Sequence, residues 1–170
     1  MQNIEIKYKI SNAGALRKRL LENPVVTFQF RHHQKDIYFK APEGRLKIRI
    51  EDESTPRLIE YFRPDENKPR ISNYTLTPLE NVEKTQKELS GKYGILTTVE
   101  KWRELYFYKN VRIHLDEVVR LGWFLEFESV ISETCDESAA KKNLAEIMEF
   151  LSGFLTETQS TGYMNLLLGK

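Results

Sequence analysis

Apolar and polar residues alternate strictly along much of this chain. From Asn3 to Ile10, the side chains Ile4, Ile6, Tyr8 and Ile10 fall on one side of an extended segment, and Asn3, Glu5, Lys7 and Lys9 on the other. The same period of two recurs from Arg45 to Glu51. Strands are also expected at about Val25 to Lys40, Arg57 to Arg63, Ile71 to Leu76, Thr97 to Tyr108, Val111 to Val118 and Trp123 to Val130. Pro42-Glu43-Gly44, Thr55-Pro56 and Lys109-Asn110 supply turns, the last as a hairpin connection, and Pro64 to Pro69 reads as a loop. Helical periodicity takes over in three places. Ala13 to Glu22 gathers Leu16, Leu20 and Leu21 on one face. Pro78 opens a helix through Lys92 with Leu79, Val82 and Leu89 as its stripe, ended by Gly94. Ser138 to Leu155 gathers Leu144, Ile147, Met148, Leu151 and Leu155. Strands dominate without regular βαβ alternation, which predicts a single α+β domain over residues 1–170 with a mainly antiparallel sheet.

The polar faces of these strands carry the chemistry. Arg45, Lys47 and Arg49 share one face, as do Arg57 and Arg63, then Lys101 and Arg103. Arg112, His114 and Asp116 share the next, and Glu126 and Glu128 the last. A half-exposed sheet with its polar face in water would also alternate. Solvated faces, however, intersperse both signs of charge, whereas here several strands carry cations alone and one carries acids alone. A polyanion with divalent metal suits such a face if it curls inward. Arginine matches phosphate oxygens with a planar fork, lysine adds a compact charge, and carboxylates coexist with phosphate where a metal bridges them. His32 and His33 are adjacent, point to opposite faces of a strand and are expected at a surface or rim. His114 is better placed, for hydrogen bonding or for catalysis.

Composition narrows the classes. The 26 basic and 25 acidic side chains leave a formal net charge of +1, without the basic excess of a duplex-binding protein. The single cysteine, Cys135, forms no internal disulfide or cysteine-rich zinc site and fits a reducing compartment. No apolar run approaches the roughly 18 residues that cross a membrane, and the start at Met1 lacks the apolar core of a secretory leader. A cytoplasmic protein with no membrane and no nucleic-acid partner is expected. Ser-His-Asp, P-loop and dinucleotide-binding patterns are not present.

Read in order, these segments resemble the CYTH family, which includes class IV adenylate cyclases and thiamine triphosphatases. Asn3-Ile4-Glu5-Ile6-Lys7 is similar to the family's ExExK signature. The likeness continues through Gln34 to Phe39, Gly44 to Arg49, Tyr61 to Asp65, Arg70 to Tyr74, Lys101 to Tyr106, Val111 to Asp116, Phe124 to Glu128 and Tyr163. The resemblance implies a triphosphate tunnel, an antiparallel β-barrel with a charged interior and helices packed outside. It implies that Lys7, Lys47, Arg49, Arg63, Lys101, Arg103 and Arg112 bind a triphosphate, and that Glu5, Glu126, Glu128 and Asp116 hold Mg²⁺ or Mn²⁺. Asn3 stands where the signature has its first glutamate, a neutral amide in place of a carboxylate.

The implied activity is metal-dependent cleavage of a small-molecule triphosphate (inorganic tripolyphosphate, thiamine triphosphate or a nucleoside triphosphate), with Lys7 orienting or deprotonating the attacking water. Cyclisation of ATP to cyclic AMP and pyrophosphate is the alternative. A non-catalytic module binding polyphosphate or nucleotide is a second. Monomer and homodimer are both compatible with the sequence.

Overall fold

The computed structural model describes residues 2–62 and 68–169, and among these the chain forms nine strands. In chain order these are β1 (Gln2–Ile10), α1 (Ala13–Leu21), β2 (Thr27–Phe39), β3 (Arg45–Glu51), β4 (Arg57–Phe62), β5 (Arg70–Pro78) and α2 (Val82–Tyr93). They continue as β6 (Ile95–Tyr108), β7 (Val111–Val118), β8 (Gly122–Ile131), α3 (Glu137–Phe150), β9 (Glu157–Thr158) and α4 (Tyr163–Leu167). The sheet runs β5-β4-β3-β2-β6-β7-β8-β1, antiparallel throughout, and β1 also pairs with β5, so eight strands close into a barrel. β1 is the seam. All of Gln2 to Ile10 pairs with β8; on the other edge Gln2 to Glu5 pair with β5, and Tyr8 and Lys9 pair with β9.

Period two then decides which residues face in. Ile4, Ile6, Tyr8 and Ile10 are buried on the outer surface with Ile113, Leu115, Leu125 and Phe127, beneath Leu16 and Leu20 of α1 and Leu144, Ile147 and Leu151 of α3 and its end. At about 25 cal/mol per Å² this apolar layer is the main stabilising force on the barrel wall. α1 is pinned further by a forked pair from Arg17 to Glu104 of β6, at 2.9 and 2.7 Å, while Tyr106 donates to the same carboxylate at 2.7 Å. α2 covers a separate outer patch, where Val82, Leu89 and Tyr93 pack near Ile37, Phe39, Leu46 and Ile48. α4 lies across one mouth: its Tyr163 packs with inward-facing Tyr38, Val99, Val118 and Phe124, and Met164, Leu166 and Leu167 complete an apolar floor. Phe30 and Phe107 line the cavity toward the opposite mouth. No helix among the described residues is long and apolar enough to cross a membrane.

Three sequence expectations change. Pro78 ends β5 opposite Arg57 instead of opening a helix. β5 pairs with β1 only over Arg70 to Asn73, so the missing N–H of Pro78 leaves no ladder bond unmade. The helix starts at Val82, because the Asn81 side chain caps it by accepting from the Lys84 amide at 2.9 Å. The last long helix stops at Phe150 and a 3₁₀ turn follows at Ser152–Phe154, although Leu151 stays buried. Leu21 is 57% exposed and lies outside the stripe of α1. Arg63, together with most of the loop expected from Pro64 to Pro69, lies outside the described residues.

Candidate functional site

The inward positions of all eight barrel strands meet in a cavity of about 400 Å³, a size that takes a small-molecule ligand. Among the described residues, its cationic lining is Lys7, Lys47, Arg49, Arg57, Lys101, Arg103 and Arg112, with Glu5, Glu51, Glu126 and Glu128 as its acids. The polar alternation therefore marks the inside of a barrel and not a solvated face. Lys7, Lys47, Lys101 and Arg103 are buried, whereas the Arg112 side chain is 40% exposed.

Two aspartates organise the cations. Asp36 on β2 is 1% exposed and accepts from Arg49 at 2.7 and 2.8 Å, from Lys47 at 2.8 Å and from Lys101 at 3.3 Å. Burial alone would raise its carboxyl, but Arg49, Lys101 and Lys47 outweigh that and hold it well below the usual carboxylate range. Asp116 on β7 repeats the arrangement. Arg103 donates to its two oxygens at 2.7 and 2.6 Å, and the Tyr163 hydroxyl donates at 2.8 Å. Against burial, Arg103 keeps Asp116 at about 2. Each arginine spends Nε and Nη2 on its aspartate, which fixes the plane of the fork.

Lys101 behaves differently. Burial pulls it down to about 7, with Arg103 and Arg49 adding to the effect and Asp36 opposing it. Lys7 sits 3.0 Å from Glu126 Oε1 and 3.9 Å above the Tyr163 ring. Glu126 also accepts from Arg103 at 3.0 Å. Burial would raise this carboxyl, yet Lys7, His114 and Arg103 together bring it well below its ordinary value.

The predicted metal-binding acids divide. Glu126 and Glu128 converge with His114, their ligand atoms lying within 4.8 Å of one another. Glu5 is buried on the same inner face and stands opposite Glu128 in the β1–β8 register. Asp116 is fully buried behind Arg103, its oxygens engaged by Arg103 and Tyr163. Asn3 is buried next to this wall, its Oδ1 without a hydrogen-bond partner among the described residues. Asp36, Arg57 and Tyr163 join the site without having been expected as binding residues. Asp36 lies two residues before inward Tyr38, so period two sets it on the inner face, although its role shows only in the cations that surround it.

Residues 1–161 match the CYTH domain profile. The chain belongs to the CYTH family. The chain is similar to a candidate adenylate cyclase of Methanocaldococcus jannaschii, 26% identical over 162 residues, covering 89% of this chain and 90% of the relative. A conserved protein of Pyrococcus furiosus has a similar structure, with a TM-score of 0.80, 25% identity and coverage of 96% and 99% of the two chains. A Hippeastrum protein described as a candidate adenylyl cyclase with dominant triphosphatase activity shares the fold at a TM-score of 0.63. It is 16% identical, with coverage of 99% of this chain and 96% of the other. The CYTH barrel with helices outside it is thus common to the chain and these structures.

Proposed function

We propose that the protein is a divalent-metal-dependent hydrolase of a small-molecule triphosphate. The observation that carries this reading is the cavity itself, where cations from β1, β3, β6 and β7 surround one space and carboxylates crowd one wall. Lys47, Arg49, Lys101 and Arg103 bind the phosphate chain, and Arg112 joins them. Arg63 is assigned the same role from the family signature. Held in a partly dehydrated barrel by aspartates that are already placed, these groups need little rearrangement to stabilise charge on a departing phosphate.

The donor set fits a divalent ion. Glu126, Glu128 and the His114 ring converge, Glu5 lies across from Glu128, and the buried Asn3 oxygen lacks a partner among the described residues. Glu5, Glu126 and Glu128 would hold Mg²⁺ or Mn²⁺, with Asp116 acting through the arginine it grips. The bound ion would supply neutralisation of phosphoryl oxygens and activation of water. Lys7 orients that water: it is fixed between Glu126 and the Tyr163 ring, with its ammonium aimed into the cavity.

A second reading, cyclisation of ATP, is favoured by one feature. Phe30, Leu105 and Phe107 line the same cavity, where a nucleobase could rest. One experiment separates the readings. Purified protein is incubated with tripolyphosphate, thiamine triphosphate or ATP, each with Mg²⁺, Mn²⁺ or chelator, beside a Glu126→Gln control. Metal-dependent orthophosphate release that the control lacks supports hydrolysis. Cyclic AMP with pyrophosphate establishes the cyclase instead, and tight binding without any product leaves a binding module.

A further inference from the structure

His114 converges with Glu126 and Glu128, but the triphosphate reading leaves its bonding unassigned. It projects from β7 between Arg112 and Asp116 and is 5% exposed. Its Nδ1 atom is buried and has no hydrogen-bond partner among the described residues. That atom lies 3.6 Å from Glu126 Oε2 and 3.8 Å from Glu128 Oε1. These separations are too long for hydrogen bonds. They are spacings that one ion spans when each ligand bond is about 2.1 Å. A buried imidazole nitrogen without a partner is destabilising, and metal ligation removes that penalty. Of the other histidines, His33 contacts Glu100 at 2.8 Å, and His32 Nδ1, likewise without a hydrogen-bond partner among the described residues, stands 3.7 Å from one carboxylate, Glu51, and not between two.

We propose that His114 is a direct nitrogen ligand of the ion held by Glu126 and Glu128, and that it makes the site select first-row transition ions over Mg²⁺. Mg²⁺ is a hard ion that prefers oxygen ligands in a near-ideal octahedron, whereas imidazole suits the transition series, with affinity rising from Mn²⁺ through Co²⁺ to Ni²⁺. Lys7 and Arg103 flank the position, and both already contact Glu126. An imidazole bound through its free nitrogen would complete the shell without a further charge. The inference rests on the reading of the tunnel as a metal site and specifies which ion that site takes.

Binding of Mg²⁺, Mn²⁺ and Co²⁺ to the full chain, measured by calorimetry without any triphosphate, tests the selectivity. Wild type binds in the order Co²⁺, Mn²⁺, Mg²⁺. His114→Gln weakens Co²⁺ and Mn²⁺ by about tenfold or more and leaves Mg²⁺ nearly unchanged. Equal losses for all three ions, or no binding by wild type, overturn the proposal. Pulsed electron paramagnetic resonance of bound Mn²⁺ tests the ligation directly. Wild type shows ¹⁴N modulation, which changes in protein made with ¹⁵N-labelled histidine, a measurement that needs no variant to fold. Bound Mn²⁺ without histidine modulation also overturns it. A nitrogen-ligated ion in protein that turns over no triphosphate would sink the hydrolase reading alone.

Discussion

Asp36 grips Arg49 through both carboxylate oxygens, at 2.7 and 2.8 Å, and the same aspartate reaches Lys47 and Lys101 from one buried position. An acid at the heart of the proposed anion site looks self-defeating, since it repels phosphate. Its contribution is geometric: three cations from two strands are held together before any ligand arrives, and their mutual repulsion is offset.

Asp36→Asn should therefore destabilise the protein by about 3–5 kcal/mol, the usual cost of stranding buried charges. Tripolyphosphate should restore the loss by supplying the missing negative charge. Thermal unfolding with and without the ligand checks this. The expected ligand-induced rise in Tm is larger in the variant than in wild type, and an unchanged variant Tm would remove Asp36 from its role.

Lys101 titrates near 7 when the site is empty of anion, whereas an unfolded chain keeps this proton to about 10.4. Between those values the unfolded state binds more protons, so this group's contribution makes stability rise with pH from about 7 to about 10. Triphosphate favours the ammonium, so binding should take up as much as one proton per site above pH 7, and affinity should fall as pH rises there. Calorimetry at pH 8 in buffers of different ionisation enthalpy measures the uptake. Lys101→Arg, which stays charged, should abolish it; the same uptake in that variant would contradict the assignment.

Tyr163 serves the site twice, through its hydroxyl on Asp116 and its ring beneath Lys7. Tyr163→Phe keeps the ring and should cost about 1 kcal/mol. Tyr163→Ala also opens the floor of the barrel and should cost about 3–5 kcal/mol, with weaker tripolyphosphate binding. Urea unfolding of the two variants separates the contributions; equal losses would mean that the ring does not matter.

Lys7→Ala should lower kcat by about a hundredfold with a smaller change in KM, because a group that orients the attacking water acts on the transition state. Steady-state hydrolysis of tripolyphosphate measures the split. A full loss expressed in KM would assign Lys7 to phosphate binding alone.

Much of this architecture was legible from the period-two pattern. The strand at Asn3 to Ile10, the hairpin at Lys109-Asn110 and the sorting of Lys101, Arg103, Glu126 and Glu128 onto one face all follow from side-chain alternation, which survives in any sheet. Barrel closure does not follow from it, because the β1–β5 pairing joins segments whose patterns suit many neighbours. Asp36 and Tyr163 were harder to read for opposite reasons. Asp36 is one acid in a mixed strand, and its meaning comes only from the three cations that surround it. Tyr163 sits on a five-residue helix too short to show periodicity, and it acts by lying across the end of a barrel that local sequence cannot describe.

The seam at β1 has a consequence for how the molecule is made. Its nine residues precede all their partners along the chain, and both their edges are filled only once β5, then β8, and finally β9 are in place. Gln2 finds Ile131 and Ile10 finds Trp123, contacts of very large sequence separation, which slow folding because loop entropy is lost before the contacts form. During translation the cationic strands therefore exist for a time without the acids of β8 that neutralise them. Closure awaits β8, far along the chain from β1, so the tunnel and its acidic wall are completed together and late.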